Sequence, residues 1–497
     1  MEYLSKKLNE NVDNFKNIFK DCGDISFRFI EIGNDKKLQA CLIFSDGLID
    51  KYLLSEYGIQ LLLSSSENED FDLSKVKKGL LDFISKEAIA IPEVDENGKV
   101  DEIVNSILSG ETILLVDGVA EALILSTRGW PTRGIGEPET ETVVRGPRDG
   151  FSETLKINIT LVRRRVKDPQ MKVKVVDIGR RSKTNIAILY IEDIVNPEIL
   201  DELNRRLNSI DIDAIIDSAV LEHLIEDNYL SPFPQIENTE RPDTVASSIY
   251  EGRVAILVDN TPFALIIPAT LGTLLQSAED YYSRWTISSF VRILRLIAFF
   301  LATLSPALYI AITSFHPGLI PTKLTYFVAA SRINVPFPAV VEAFLMEITM
   351  EILREAGTRI SGPIGTTIGI VGGLIIGQAA VEAGIVSPLM IIIVAITTIS
   401  AFALTSYELA SGLRICRFGF MILAAIFGLY GIMLGILLLS THLANLNSFG
   451  IPFTSPYSGL GIEEGDLKDT LIKAPVQELE LRPKFTFTKN RRRMKRR

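Results

Sequence analysis

The stretch DEIVNSILSGETILLVDGVAEALIL, residues 101–125, occurs in a second form later in the chain. Its counterpart is DTVASSIYEGRVAILVDNTPFALII, residues 243–267, and the two align without a gap with ten of 25 positions identical. A second pair, residues 29–50 and 175–196, matches in apolar pattern at an offset of 146 positions, against 142 for the first pair. Self-similarity at a nearly fixed offset indicates a repeated structural unit. The sequence therefore predicts two copies of one module.

The two copies, residues 1–126 and 151–270, each have the pattern of an α/β fold. Alternating apolar and polar residues mark half-buried strands, and amphipathic stretches between them mark helices. Asp117-Gly118 and Asp259-Asn260 lie between apolar runs, where residues that tolerate positive φ close a two-residue hairpin. We expect a duplicated α/β module, with two similar subdomains. A cleft between them would suit a ligand, and a stacked pair that serves as scaffold or subunit contact is the alternative.

The copies are joined by residues 127–150, which are rich in glycine, proline and both signs of charge. On physical grounds this segment is a surface linker, with Arg–Glu pairs that contribute less than about 1 kcal/mol each. Catalytic motifs are absent from the sequence: there is no phosphate-binding loop and no nucleophile elbow, and the three histidines are scattered. Three cysteines without paired spacing support neither a disulfide nor a zinc site. We therefore expect no enzyme activity, cofactor, metal or nucleic-acid partner.

The second half of the chain has the composition of a membrane domain. Of the 497 residues 47% are apolar, and charged residues become sparse beyond about residue 296. Four uncharged runs, residues 296–315, 360–381, 388–407 and 418–440, are long enough to cross about 30 Å of hydrocarbon. We expect an α-helical transmembrane domain over residues 286–447 and a C-terminal tail over residues 448–497. No signal peptide opens the sequence, so the N-terminal half is expected to be cytoplasmic.

A fifth apolar segment, residues 335–357, carries the carboxylates Glu342, Glu347 and Glu351, and Glu382 follows further along the chain. Ionisable residues at membrane depth cost several kcal/mol, so they face a protein interior, a water-filled path or the interface. One hypothesis is a vestibule for cations, lined by carboxylates that share one helical face. The other is an amphipathic helix that lies in the membrane interface. The sequence leaves both open.

Glycine recurs at every fourth position of the run that contains Gly365, Gly369, Gly373 and Gly377. In water each glycine inside a helix costs about 0.5–1 kcal/mol relative to alanine. In lipid, small residues at this spacing let two helices pack closely. The partner is a helix of the same chain or of another copy in a ring around a pore, and the neighbouring face, with Thr366 and Ile370, is a candidate pore lining.

The orientation of the membrane domain is only partly decided by charge. The chain closes on RRRMKRR, residues 491–497, which is typical of a solvated, lipid-facing cytoplasmic end. If residues 335–357 cross the membrane, Arg354, Arg414 and Arg417 lie inside and the basic tail lies outside. If they do not cross, the assignment is reversed. One of the two basic groups then breaks the positive-inside rule.

Several long motifs occur in order along the chain. They are RGWPTRGIGEPETETVVRGPRDGFSETL (128–155), SPFP (231–234), EGRVAILVDNTPFALIIP (251–268), SPALYIAITSFHPGLIPTKL (305–324), VPFPAVVEAFLMEITMEILREAG (335–357) and GIVGGLIIGQAAVEAGIVSP (369–388). Together these motifs resemble the GerA family of spore germination proteins, specifically the A subunit. The resemblance extends from about residue 15 to residue 458.

This resemblance implies the A subunit of a nutrient germinant receptor, a multi-pass protein of the inner membrane of a bacterial spore. Its partners would be a transporter-like B subunit, a lipoprotein C subunit and further copies of itself, with membrane lipids around them. The A subunits would form a nutrient-gated cation channel, and Arg145 and Arg148 would lie in a functional or assembly loop. Two alternatives remain: a paralogous accessory protein that modulates dipicolinic acid release, and a non-conducting scaffold that clusters receptor subunits.

Overall fold

The computed structural model describes residues 2–32, 38–60, 94–129, 136–358, 377–458 and 466–495. The chain divides into two compact units. The α/β unit contains Met1–Glu226, Ile236–Pro268 and Glu480–Arg497, and the helical unit contains Asp227–Gln235 and Ala269–Leu479.

The first module of the α/β unit contains α1 (Leu8–Ile18), β1 (Ile25–Ile32), β2 (Leu38–Ser45), a π-helical segment (Leu53–Gln60), β3 (Val94–Asn97), α2 (Val100–Leu108), β4 (Thr112–Val116) and β5 (Ala122–Leu125). Its strands form one antiparallel sheet in the order β1-β2-β4-β5-β3. Strand β2 contributes Cys41 and Ile43 to a core with α1 and α2, and Ala40 and Leu42 to a second core on the opposite face. The two-residue period of a strand explains this division.

The second module contains α3 (Leu155–Arg163), β6 (Met171–Ile178), β7 (Thr184–Ile191), α4 (Pro197–Ser209), α5 (Ser218–Ile225), β8 (Glu237–Thr239), α6 (Pro242–Tyr250), β9 (Val254–Val258) and β10 (Ala264–Ile267). Its antiparallel sheet has the order β6-β7-β9-β10-β8, which repeats the order of the first sheet. The two α/β modules predicted from the sequence therefore have the same strand topology.

The two modules also share one helix-capping contact, made by an aspartate. Asp117 Oδ1 accepts a hydrogen bond from the main-chain N–H of Leu8, and Asp259 Oδ1 accepts one from Leu155 at the equivalent helix start. The sequence predicted two-residue hairpins at Asp117-Gly118 and Asp259-Asn260, and this prediction is wrong in length. The connections are residues 117–121 and 259–263, because each aspartate is occupied in capping α1 or α3. Positive φ is present as expected, at Gly118 (+89°) and Asn260 (+69°).

A buried ion pair joins the two modules inside the α/β unit. Arg163 donates to both carboxylate oxygens of Asp24, from Nε at 2.7 Å and from Nη2 at 2.8 Å, and the two side chains are 1% and 4% exposed. Beside it, Gly23 and Val173 share a main-chain hydrogen bond of 2.9 Å. A bidentate pair of this kind fixes orientation as well as distance.

The helical unit contains α7 (Leu271–Leu274), α8 (Ala278–Tyr282), α9 (Trp285–Ser314), a 3-10 turn (Pro317–Leu319), α10 (Thr322–Arg332), α11 (Ala339–Thr358), a helical stretch over residues 377–382, α12 (Pro388–Phe402), α13 (Tyr407–Phe427), α14 (Leu429–Asn445), and the strand pair β11 (Asn447–Ser448) and β12 (Ile451–Pro452). In the described part of the chain, α9 and α13 are long and apolar enough to cross a membrane. Helices α12 and α14 are apolar but shorter, with 15 and 17 residues.

The run over residues 418–440, predicted as one span, is two helices. Helix α13 ends at Phe427 and α14 begins at Leu429, and Gly428 between them has a φ of +60°, which a residue with a side chain rarely adopts. Helix α14 then packs back against α13, where Gly431 and Gly435 leave no room for a Cβ beside Leu423 and Phe420. These glycines, four positions apart, are the close-packing pair of this helix hairpin.

Within the described residues, the C-terminal tail contributes to both compact units. Residues up to Leu479 belong to the helical unit, where Asp469 binds Arg292. Residues from Glu480 belong to the α/β unit, where Arg482 donates to the main-chain oxygen of Tyr250 at 2.6 Å. Arg482 is only 9% exposed because main-chain carbonyls surround its guanidinium.

Candidate functional site

Helix α11 carries the carboxylates predicted for the membrane half, and the structure buries the first of them completely. Glu342 Oε1 accepts hydrogen bonds from the main-chain N–H and the hydroxyl of Ser387, both 2.5 Å long. Its Oε2 lies 3.3 Å from the hydroxyl of Tyr309 and 3.6 Å from Nε of Arg332. Because Ser387 is the N-cap of α12, Glu342 ties the start of that helix to α9 and α10.

The other carboxylates of α11 face arginines on α13. Glu347 Oε2 lies 2.5 Å from Nη1 of Arg417, and the two side chains are 2% and 5% exposed. One turn further, Glu351 binds Arg354 on its own helix and lies 4.0 Å from Nη1 of Arg414. The partners on α13 come in reverse order along the chain, so α11 and α13 are antiparallel helices joined by a polar ladder.

The ladder is not fully hydrogen-bonded. Glu347 Oε1, Arg414 Nε and Arg417 Nε are buried and have no hydrogen-bond partner within the described ranges. Unsatisfied polar atoms in a buried ion pair cost free energy, so the ladder is not optimised for stability alone. The one-face prediction for Glu347 and Glu351 agrees with this geometry, but the sequence did not reveal that arginines of α13 would meet that face.

The predicted vestibule requires carboxylates that are free to meet cations. Glu342, Glu347 and Glu351 instead have basic partners in the same chain. A cavity of about 630 Å³ lies beside the end of α11 and is lined by Glu351, Arg354 and Glu355 together with apolar side chains of α11 and α13. An aqueous path along α11 would therefore meet balanced charge rather than an acidic ring.

Most of the glycine ladder lies outside the described residues: Gly365, Thr366, Gly369, Ile370 and Gly373. Gly377 is described, and a Cβ built there would lie 3.6 Å from two side-chain carbons of Ile391, an ordinary contact. This member of the ladder therefore faces α12 of the same chain. Glu382 is exposed and accepts a hydrogen bond from Gln378 at 3.0 Å.

Comparison with known proteins identifies the family. The model of the Bacillus/Clostridium GerA spore germination protein family matches residues 13–485. This chain belongs to the GerA family. It is 43% identical to spore germination protein GerLA of Bacillus cereus over 91% of this chain and 90% of the relative, and 42% identical to spore germination protein KA of Bacillus subtilis over 97% and 87%.

Two further relatives extend the comparison. The GerA-family chain is 32% identical to stage V sporulation protein AF of Bacillus subtilis, over 92% of this chain and 90% of that protein. A solved structure, the N-terminal domain of the A subunit of the Bacillus megaterium spore germinant receptor GerK3, is 32% identical and covers 54% of this chain and 97% of the solved chain, with a TM-score of 0.43.

The linker of this GerA-family chain is bound mainly by residues other than the predicted Arg145 and Arg148. Arg145 is exposed, and Arg148 makes one exposed ion pair of 3.5 Å with Glu137, which contributes little. Arg165 binds both carboxylate oxygens of Asp149 at the end of the linker, and further contacts lie at the β8–α6 corner. The Glu240 carboxylate accepts from the main-chain N–H groups of Glu139 and Thr140, at 2.6 and 3.3 Å.

Arg241 is the centre of this docking site and is 1% exposed. Its Nη1 donates to the main-chain oxygen of Glu141 at 3.1 Å, and its Nη2 donates to that of Pro147 at 2.9 Å. The Glu141 carboxylate accepts from the hydroxyl of Thr239 at 2.5 Å. The sequence RGPRDG alone did not reveal this site, because the residues that bind the linker lie about 100 positions further along the chain.

The docked linker contains a perturbed carboxylic acid. Burial raises the pKa of Glu141 to about 7, and the nearby Glu237 and Glu240 carboxylates raise it as well. The Thr239 hydroxyl and Arg241 act in the opposite direction but do not offset burial. Glu141 therefore changes charge near neutral pH while it is docked.

A second charged cluster lies at the start of α9. Arg295 donates to both oxygens of Asp280, at 2.6 and 2.8 Å, and Arg292 Nε donates to the same carboxylate at 3.1 Å. Arg292 Nη1 also binds Asp469 at 3.0 Å, and Lys473 donates to the main-chain oxygen of Asp280. This cluster fastens the segment that follows α14 to the beginning of α9.

Between the two α/β modules lies a cavity of about 490 Å³, lined by Lys51, Tyr52 and Gly129 from one side and by Thr154, Lys156 and Thr160 from the other. Asp46 at its edge pairs with Lys51 at 2.9 Å and with Lys156. Burial by itself raises the pKa of Asp46, but the two lysines outweigh burial and hold it below its ordinary value. The cleft predicted between the copies thus has a concave, charged form. Within the described ranges no group of three metal-binding side chains is present.

Proposed function

We propose that this chain is the A subunit of a spore nutrient germinant receptor and that copies of it form the nutrient-gated cation channel that triggers germination. Membership of the GerA family supports the germination role. The observation that carries the channel role is the buried polar ladder between α11 and α13, because ionisable groups inside apolar helices cost free energy and mark functional paths. The proposal includes no enzyme activity.

The helix ends support a definite topology. Helices α9 and α13 are parallel: Leu274, just before α9, accepts from Thr405, just before α13, and Phe315, just after α9, lies against Gly428 at the end of α13. Helix α12 starts beside Tyr309 in the second half of α9 and ends near Thr405, so it is antiparallel to both.

The remaining helices complete an even number of crossings. Helix α11 places Glu342, in its first turn, beside Tyr309 and runs on to Arg354, whose Nη1 binds Tyr407 at the start of α13. Because Ser387 lies beside Glu342 in the first turn of α11, the proposal takes residues 360–381, predicted as a span from the sequence, as a further crossing. Helix α14 packs back against α13 and returns to the other side. The proposed topology has six crossings, so that the chain enters and leaves the membrane on one side.

This topology removes the conflict between the two basic groups. Residues 418–440 were predicted as one crossing, and the break at Gly428 supports counting them as two in the proposed topology. Arg292, Arg354, Arg414 and the basic tail then all lie on one side, which the positive-inside rule assigns to the cytoplasm. We propose that this side is the spore core and that the membrane is the spore inner membrane.

We further propose that the α/β unit arose by duplication and acts on the cytoplasmic side. Its repeated strand order and its repeated aspartate caps support a common origin for the modules. The transporter-like B subunit and the lipoprotein C subunit are the proposed partners, together with further copies of this chain. The glycines from Gly365 to Gly373 are the proposed contact between copies, Thr366 and Ile370 are the proposed pore lining, and Arg145 and Arg148 are proposed for assembly.

The germination role is tested with spores that lack this gene. A receptor subunit predicts that the response to one class of nutrient is lost, whereas dipicolinic acid release triggered by other nutrients is normal. The accessory alternative predicts slower dipicolinic acid release with every trigger. A scaffold predicts that the receptor subunits lose their clustering, while the purified oligomer passes no ions.

A further inference from the structure

One short segment of the chain leaves the α/β unit and returns to it. Helix α5 ends at Ile225 and strand β8 begins at Glu237, and both belong to the α/β unit. Residues Asp227–Gln235 between them belong to the helical unit. We call Asp227–Gln235 the coupling segment. It contains the SPFP motif, which the proposed function leaves without a role.

The apolar anchor of the coupling segment is Phe233, which is 2% exposed. It belongs to one buried cluster with residues from α7, α9, α13 and α14: Leu274, Phe299, Leu409, Leu413 and Leu443. Burial of a phenylalanine contributes about 1.5–3 kcal/mol. Phe233 therefore fixes the segment among the cytoplasmic ends of these helices.

Polar contacts tie the same segment to the last membrane helix and to the chain that follows it. The hydroxyl of Ser231 lies 2.9 Å from Nε2 of His442 on α14. The main-chain oxygen of Gln235 accepts from the hydroxyl of Ser448 at 2.6 Å, and Asp227 accepts from the main-chain N–H of Phe449 at 2.8 Å. These contacts hold both ends of the coupling segment.

The segment is also braced internally. Asn228 donates its main-chain N–H to Gln235 Oε1, and Gln235 Nε2 donates back to the main-chain oxygen of Asn228, both at 2.8 Å. These two hydrogen bonds connect residues near the two ends of the coupling segment and so close it into a loop.

Gly412 on α13 makes room for the segment. A Cβ at this position would overlap the main-chain oxygen of Pro232 and would lie 3.2 Å from Cδ1 of Phe233. Gly419, two turns later on the same helix, has nothing within 4 Å of an added Cβ. The two glycines are therefore a matched pair in which only one contacts the coupling segment.

We propose that the coupling segment transmits movement of the α/β unit to the start of α13 and the end of α14. The inference rests on the proposed function, in which α13 carries part of the polar ladder of the channel. Phe233 anchors the coupling segment in the buried cluster, and the Ser231–His442 hydrogen bond connects the segment to α14. The missing Cβ at Gly412 sets how closely α13 approaches the segment.

The test uses the full chain in lipid nanodiscs and compares Gly412→Ala with Gly419→Ala by hydrogen–deuterium exchange. Alanine has the higher helix propensity, so neither change weakens α13 by itself. We expect Gly412→Ala to speed exchange roughly tenfold in residues 227–235 and also in the flanking α5 and β8, because local opening spreads through a cooperative unit. Gly419→Ala should leave all three regions unchanged. Faster exchange confined to residues 227–235, or equal effects of both variants, would overturn the proposal.

A second variant and a second readout cover the case in which Gly412→Ala does not fold. Ser231→Ala removes one hydroxyl and should raise exchange at the end of α14 as well as in α5. In spores, both Ser231→Ala and Gly412→Ala should lower the nutrient response at normal protein level, whereas Gly419→Ala should not. An unchanged response in spores, despite a loosened segment, would contradict coupling. Because exchange is measured without ion flux, failure of the channel proposal alone would leave the exchange result intact.

Discussion

The ion pair between Glu347 and Arg417 gives a quantitative prediction. In Arg417→Gln the carboxylate of Glu347 stays buried and loses its charged partner, which was 2.5 Å away. Removal of one partner of a buried pair costs about 3–5 kcal/mol, since the remaining charge is left uncompensated. Both side chains are nearly inaccessible, so solvent screening does not reduce this cost. We expect Arg417→Gln to destabilise the helical unit by that amount.

The double variant Glu347→Gln, Arg417→Gln separates charge from shape. It removes both charges and leaves two amides that can bond to each other, so it should lie within about 1–2 kcal/mol of the parent chain. The control is Arg181→Gln, because Arg181 is 83% exposed and a surface substitution changes stability by about 0.5 kcal/mol at most.

The assay is the unfolding of the full chain in mixed micelles, followed by loss of helical circular dichroism as the fraction of denaturing detergent rises. The expected order of stability is parent and Arg181→Gln first, then the double variant, then Arg417→Gln. If Arg417→Gln were as stable as Arg181→Gln, or if the double variant were as unstable as Arg417→Gln, the polar ladder would not be a paired, buried element.

Two further predictions concern the α/β unit. The docked linker holds a proton on Glu141, whose pKa rises from 4.5 to about 7, so the free energy that docks residues 136–150 falls as the pH rises through that window and then levels off. Proteolysis of the linker should therefore increase between about pH 5 and about pH 8, the range that these two pKa values span, and Glu141→Gln should abolish the dependence. A pH profile unchanged by Glu141→Gln would contradict it. Arg163→Ala leaves Asp24 buried without its bidentate partner and should cost about 3–5 kcal/mol in urea unfolding, and a cost near zero would refute the role of this pair.

The repeat made the α/β fold accessible to sequence reasoning, because two independent copies of one pattern reduce the chance of misreading either. The turn lengths were not accessible. Asp117 and Asp259 read as turn residues, and only the structure shows that each carboxylate caps a helix more than 100 positions earlier. Local pattern does not contain such long-range partners.

The candidate site was predicted only in part, because its ion-pair partners are also far apart in the sequence. Spacing placed Glu347 and Glu351 on one face of a helix, but their partners Arg414 and Arg417 lie about 65 positions away and were considered only as charges that orient the membrane domain. Gly428 was hidden in an apolar run, where a glycine serves equally for close packing and for a helix break. A positive φ decides between these, and it is a property of the backbone alone.

The central claim is that copies of this chain conduct cations when a nutrient binds its receptor. The most direct measurement is potassium efflux from vesicles that contain the purified receptor, assembled with the proposed B and C subunits, before and after nutrient is added. The account predicts efflux that begins with nutrient and that is lost when Gly369 and Gly373 are both replaced by leucine. Nutrient binding without potassium efflux would contradict it.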